Sequence, residues 1–247
     1  MRVLVTGGAK RLGAAIVRAV AAAGYEPVIH YGRSRAAAEA LAREVGGTVV
    51  QGELGDAAAV RTLFDAAVRG GAVDGLVNSA SLFEYDRPGA IDPALAARLH
   101  AVNAVAPALL TAALAASSAA RGGAGAVVNL LDQKLANPNP DFFSYTLSKA
   151  ALETATVLMA QAFAPRVRVN AVSPGLTLPS GDQSDAEFAR TASMNLLERP
   201  VGAEAVAQAV VYLLEARSMT GQNLFVDCGQ RFVKSDRDVM FDGRDDG

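Results

Sequence analysis

The stretch VTGGAKRLGAAIV, residues 5–17, sets glycines at 7, 8 and 13 between a short apolar run and a helical stretch. Glycines in that position let the backbone turn tightly and approach a pyrophosphate. The start of the helix behind them offers free N–H groups and the positive end of its dipole. A glycine-rich turn that merely joins two elements has the same composition. Its meaning therefore depends on the rest of the chain.

Beyond it, apolar β-branched runs alternate with alanine-rich helical stretches. Strands are expected at 2–6, 27–31, 48–52, 75–79, 126–131, 168–172 and 223–227. Helices are expected near 12–23, 35–45, 56–69, 92–118, 144–163 and 203–216. Strands apolar on both faces, each followed by a helix, imply a parallel sheet covered on two sides. Right-handed crossovers then give an α/β doubly wound, seven-stranded parallel sheet flanked by helices, with ligands at the carboxyl ends of the strands. No linker or composition break divides the chain, so residues 1–233 are read as one domain and the charged 234–247 as a tail outside the core. The polar LPSGDQSDAEF, residues 178–188, is expected to be a loop over the active site.

A length of 247 residues suffices for a substantial core. With 23 Lys+Arg against 25 Asp+Glu, the formal net charge of -2 offers no basic field for nucleic acid or an anionic membrane. The single cysteine, Cys228, excludes an intrachain disulfide framework and a cysteine-rich zinc site, and fits a reducing compartment. The first ten residues lack the layout of a secretory signal. The alanine-rich 101–120 comes nearest to a membrane span, but Asn103, Pro107 and Ser117–Ser118 interrupt it. A soluble cytoplasmic protein is expected. His30 and His100 lack ligand spacing, so no metal is expected.

The end of the second strand discriminates between nicotinamide cofactors. An acid there would bind the adenosine ribose of NAD, whereas arginine accommodates a 2′-phosphate. Here IHYGRSR places Arg33 and Ser34 after the strand, and no carboxylate. A guanidinium with a hydroxyl is a good phosphate receptor, and Lys10 and Arg11 could reach the same side, so NADPH is expected. A solvated basic loop with Ser34 as helix N-cap is the bland alternative.

Tyr145 and Lys149 lie one helical turn apart. A phenol with a pKa near 10 exchanges protons poorly at neutral pH, and a nearby ammonium would pull that value down. Asp132, thirteen residues before the tyrosine at a strand end, would oppose the lysine and keep the phenol protonated. Asp132 could equally be a solvated strand-end residue.

With these motifs in order, the chain resembles the short-chain dehydrogenase/reductase family over roughly residues 1–233. The resemblance rests on TGGAKRLG, NSAS at 78–81, VNAVAP with Asn103, YTLSK, RVNAVSPG at 168–175 and MTGQNLFVDCG. It implies a Rossmann fold and nicotinamide-dependent hydride transfer. Tyr145 would be the proton donor, Lys149 its partner and a ligand of the nicotinamide ribose, and Asn103 the organiser of a water-linked relay. It also implies a homotetramer built through the helices near 92–118 and 144–163.

Two departures narrow the resemblance: Arg11 stands where most members have glycine, and Asp132 where most have serine. Both are similar to the pteridine reductases and bacterial dihydromonapterin reductases, as are HYGRS, the N-x-A-S-x-F at Asn78, Ala80, Ser81 and Phe83, and PGLT. The subgroup implies cofactor contacts at Gly7, Arg11, Leu12, Tyr31, Arg33, Ser34, Asn78, Ala80, Ser81, Tyr145, Lys149, Pro174, Gly175 and Thr177. It implies pterin contacts at Arg11, Ser81, Phe83, Asp132 and Tyr145, the ring lying between Phe83 and the nicotinamide. For a dihydropterin it implies a proton from water ordered near Arg11. A pterin presents many donors, so an acceptor carboxylate suits it better than a hydroxyl. The expected activity is NADPH-dependent reduction of a pterin, with some dihydrofolate reduction. The alternatives are a ketone or sugar reductase of the same family and, with the tyrosine and lysine arguing against it, a non-catalytic nucleotide-binding sensor.

Overall fold

The computed structural model describes residues 1–179, 184–238 and 241. Seven parallel strands form one sheet in the order β3-β2-β1-β4-β5-β6-β7. They are β1 (Arg2–Val5), β2 (Glu26–Tyr31), β3 (Thr48–Gln51), β4 (Gly75–Asn78), β5 (Gly125–Leu130), β6 (Val167–Pro174) and β7 (Asn223–Val226). The order reverses between β1 and β4, the place where a crevice opens in sheets of this kind.

Alternation along each strand feeds two cores. Val3, Val5, Ile29, Val128 and Val172 face α1 (Arg11–Ala22), α2 (Arg35–Val45) and α8 (Ala203–Glu215). Leu4, Val28, Leu76, Val127 and Val169 face α3 (Ala57–Val68), α5 (Ala106–Ala120) and α6 (Phe143–Phe163). A side-chain chain at the strand ends ties β4 to β5 and α6. Asn78 Nδ2 donates to Asn129 Oδ1 at 2.8 Å, and Asn129 Nδ2 to Thr156 Oγ1 at 2.9 Å.

Three features depart from the sequence expectations. The helix expected at 92–118 is α4 (Pro93–His100), a π turn at Ala101–Val105 and α5. By length and composition the whole run, Pro93–Ala120, could cross a membrane, yet its buried Leu95, Leu99, Leu110 and Leu114 pack inside the protein. A further helix, α7 (Asp185–Ala192), takes the last four residues of the expected 178–188 loop, while residues 180–183 lie outside the described residues. The described part of the tail is also not detached. The Arg237 Nε and the Asp238 N–H both donate to Asp141 Oδ2, at 3.3 and 2.9 Å, and Phe241 packs into an apolar cluster.

Helix α6 carries Tyr145 and Lys149, and a residue far away in sequence secures its start. Phe142, at its N-cap, has a left-handed backbone and makes no side-chain cap. Asp86 caps it instead: Oδ1 accepts from the Ser144 N–H at 2.9 Å, and Oδ2 accepts from the Ser144 hydroxyl. A carboxylate there also meets the positive end of the helix dipole. Asp86→Ala is therefore expected to destabilise the protein by about 1–2 kcal/mol in chemical denaturation. Unchanged stability would refute the capping role.

Candidate active site

The glycine turn closes against the start of the β4 loop. Thr6 Oγ1 accepts from the Ser79 and Ala80 N–H groups at 3.0 and 3.1 Å. Gly7 has φ +63°, and a Cβ on it would stand 2.9 Å from Ala80 Cα. A Cβ on Gly13 would stand 2.2 Å from the Gly7 carbonyl oxygen, which no rearrangement of a side chain relieves. Leu12 is half-buried against the core beside the turn.

His30, isolated in the sequence, holds this turn. The Gly7 N–H donates to its Nδ1 at 3.0 Å, so its Nε2–H is left to donate to the Gly52 carbonyl at 3.1 Å. Burial pushes the imidazole below its ordinary pKa.

At the end of β2, Tyr31 is buried while Arg33 is exposed. Ser34 occupies the N-cap position of α2, but its hydroxyl makes no cap bond. Arg35 is engaged with Glu39 at 2.8 Å. Arg11, with φ +53°, spans the crevice from the other side, its Nη2 donating to the Pro179 carbonyl at 2.6 Å.

Asp132 and Tyr145 meet directly. The phenol donates to Asp132 Oδ2 at 2.8 Å, and the Lys134 N–H donates to Oδ1 at 2.9 Å. Lys149 Nζ donates to the Leu130 carbonyl at 2.8 Å and lies 5.7 Å from the centre of the Tyr145 ring. Burial, then the charge of Asp132 and the bond to it, holds the phenol well above its usual pKa. Of the two opposed influences expected on Tyr145, that of Asp132 sets the direction together with desolvation, and the phenol keeps its proton. Burial likewise raises Asp132, against the bonds from Lys134 and Tyr145, and brings Lys149 down to about 8.

Asn103 lies in the π turn with every polar atom of its side chain engaged. Its Oδ1 accepts from the Leu82 N–H at 2.8 Å and the Ser81 hydroxyl at 3.2 Å. Its Nδ2 donates to the Leu82 carbonyl at 2.9 Å and Ser148 Oγ at 3.0 Å. The side chain clamps the β4 loop and α6, and it has no capacity left for a water. Phe83 is 43% exposed, meets Tyr145 edge-on at 4.7 Å and stacks on Phe142 at 4.1 Å. Pro174, Gly175 and Thr177 close the far side after β6. There the Gly175 N–H donates to the Val226 carbonyl at 2.9 Å, and the Leu176 N–H to Gln230 Oε1 at 3.0 Å.

The structure thus gathers Asp132, Tyr145, Lys149, Phe83, Ser81 and Asn103 on one side of the crevice. Gly7, Arg11, Arg33 and Ser34 stand at its other end. Sequence reading missed His30, Asp86, Phe142 and Lys134. The only signal for His30 was its place at the end of an apolar strand.

Residues 7–231 match the family model described as enoyl-(acyl carrier protein) reductase. FolM alternative dihydrofolate reductase 1 from Brucella canis, solved with NADP, is 43% identical and covers 95% of each chain with a TM-score of 0.89. Pteridine reductase 1 of Leishmania tarentolae is 33% identical over 94% of this chain and 96% of its own. A granaticin polyketide synthase putative ketoacyl reductase of Streptomyces violaceoruber is 32% identical over 93% and 96%. The chain belongs to the short-chain dehydrogenase/reductase family.

His30 gives the turn a pH dependence of known sign. Its folded-state pKa is lowered, so its contribution is complete above the unfolded value of about 6.5 and is lost as pH falls from there towards the lower folded value. The stability advantage of wild type over His30→Gln is expected to shrink between about pH 7.5 and about pH 5 in denaturation curves. An advantage that stays constant across that range would sink the assignment.

Proposed function

We propose that the protein is an NADPH-dependent reductase of a pterin C=N bond, acting on a dihydropterin such as dihydromonapterin or dihydrobiopterin and on dihydrofolate. The observation that carries this reading is the Asp132 carboxylate hydrogen-bonded to the Tyr145 hydroxyl at 2.8 Å. The substrate side of the crevice then presents an acceptor, which suits the N–H-rich edge of a pterin. The FolM structure and the pteridine reductase support the same reading.

The residues present fit a dinucleotide. The Cβ-free cradle at Gly7 and Gly13 admits a close backbone approach, and the first turn of α1 offers its N–H groups. Arg33 and the hydroxyl of Ser34, which caps nothing, suit a 2′-phosphate, with Tyr31 beneath them. Leu12, Asn78, Ala80, Ser81, Pro174, Gly175 and Thr177 complete the lining of the nucleotide side. NADPH, when bound, supplies the hydride.

Tyr145, kept protonated by burial and Asp132, holds the proton for the ring nitrogen of a fully oxidised pterin, whereas for a dihydropterin a water near Arg11 supplies it. Asp132 accepts from the donors of the heterocycle and fixes its register. Phe83 offers a partly exposed ring face for stacking, with Ser81 two residues before it, and Arg11 reaches towards the pterin from the opposite side of the crevice. Lys149 holds a positive charge beside the phenol and the ribose position. Asn103 clamps the Ser81–Leu82 backbone through its side chain, which leaves its main chain for the proposed water-linked relay.

A ketone reductase is the second reading, favoured by the ketoacyl reductase at nearly the same identity as the pteridine reductase. A homotetramer is also proposed. Leu147, Val157 and Leu158 are exposed apolar side chains on α6 and support it, with sedimentation as the measure.

NADPH oxidation measured side by side with dihydromonapterin, dihydrobiopterin, dihydrofolate and a simple ketone separates the two substrate classes. Pterin turnover is expected, and Asp132→Ser is expected to reduce it by about 100-fold or more. Robust ketone turnover without pterin turnover in the parent would overturn the proposal.

Lys149 yields a second expectation. With its pKa brought down to about 8, it loses its charge as pH rises, so kcat/KM is expected to fall on the alkaline side with a midpoint near that value. Lys149→Arg keeps its charge and should move that limb upward. A limb that does not move would assign it to another group.

A further inference from the structure

The carboxyl-terminal segment reaches the site by two separate routes. In the first, Lys134 Nζ donates to Asp238 Oδ2 at 3.1 Å and to the Asp141 carbonyl at 2.7 Å. The backbone N–H of the same lysine donates to Asp132 Oδ1. In the second, Phe241 stacks on Phe142 at 6.0 Å and 15°, and Phe142 stacks on Phe83 at 4.1 Å and 17°. Tyr85 fills the corner, edge-on to both Phe142 and Phe241 at 5.2 and 5.3 Å. Three nearly parallel rings thus run from the tail to the aromatic residue beside Tyr145.

Asp141 fastens the segment. Its Oδ2 accepts from the Asp238 N–H and from Arg237 Nε, and its Oδ1 from the Tyr85 hydroxyl at 3.2 Å. The Arg237 guanidinium lies 5.0 Å from the centre of the Phe241 ring. Lys134 is only 4% exposed, and an ammonium so far out of water needs its two partners. Phe241 packs against the cluster of Leu95, Leu99, Phe142 and Tyr145 and against neither face of the sheet.

We propose that Arg237, Asp238 and Phe241 are a working part of the substrate site, positioning Asp132 through Lys134 and Phe83 through Phe142. The Phe83 route rests on the pterin reading, because it predicts the grip on a flat heterocycle. The Asp132 route rests on geometry alone. Burial and the charge of Asp132 raise Tyr145, and the charge of Asp238 adds to them, so the tail acts on the phenol as well as on its carboxylate.

Two measurements on the full chain test the proposal. In the first, KM and kcat for a dihydropterin are compared at saturating NADPH in wild type, Phe241→Ala, Phe241→Leu and Phe241→Tyr. Loss of the ring face is expected to raise KM about five- to tenfold, with kcat and NADPH affinity within about twofold of wild type. Phe241→Tyr restores KM, and Phe241→Leu keeps apolar volume should the alanine variant fold poorly.

In the second, the ionisation of Tyr145 is read without substrate. Tyrosinate absorbance is titrated and the signal of a Tyr145→Phe variant subtracted, in wild type and in Asp238→Asn. Removing the tail carboxylate is expected to lower the midpoint. A wild type that does not reduce pterins refutes the substrate reading and leaves this titration to judge the tail. Kinetic constants and a titration that both match wild type, with only Tm reduced, would overturn the proposal.

Discussion

A carboxylate drawn partly out of water beside a phenol sets the terms for the chemistry around it. Removing such a charge from solvent is unfavourable unless hydrogen bonds replace the water. Asp132 receives one from the Lys134 N–H and one from Tyr145, while the ammonium of Lys149 is turned towards the Leu130 carbonyl. The cation therefore sits close enough to matter and too far to neutralise the acid. The outcome is a division of labour: an acceptor at Asp132 and a phenol that keeps its proton. Both depend on α6 starting at the right residue, and the Asp86 cap determines that start.

The parallel sheet does the gathering. All seven strands run the same way, so the segments that leave them converge along one edge, and the reversal between β1 and β4 opens the crevice there. The contact of Gly7 with Ala80 joins the nucleotide turn to the loop that carries Ser81 and Phe83. Asn103 fastens that same loop from the π turn, a local break in helix geometry of a kind often found at functional sites. A shift at the phosphate end would thus be transmitted through backbone contacts to the substrate end.

Much of this was legible in the sequence for a simple reason. Strands buried on both faces read as apolar runs, and each lies within one or two residues of its expected place, apart from a longer β6. The glycines, Arg33, Asp132, Tyr145 and Lys149 carry local signals at strand ends or helical spacing. What was illegible depends on distant partners. Asp86 reads as a loop acid until it meets Ser144, 58 residues on. Phe142 reads as a core ring until it stacks between Phe83 and Phe241, and Lys134 as a solvated lysine until the tail arrives. α7 was hidden because the glycine, proline and serine that precede it weighted the whole stretch towards a loop. For Tyr145 the sequence shows the opposed charges of Lys149 and Asp132 but not the desolvation that adds to the effect of the acid.

The same balance of charges bears on which ligand the fold can accept. A ketone oxygen brought against Asp132 would set acceptor against acceptor, and the carboxylate would offer it no donor. A ring edge rich in N–H groups meets the same carboxylate with its donors matched. One residue can therefore discriminate by penalty as much as by attraction. The discrimination holds only while the carboxylate is kept in place, since a carboxylate free to rotate into solvent would cease to repel the carbonyl. Two hydrogen bonds, from Lys134 and Tyr145, restrain it here, so on the pterin reading selectivity would belong to the arrangement around position 132 and not to its side chain alone.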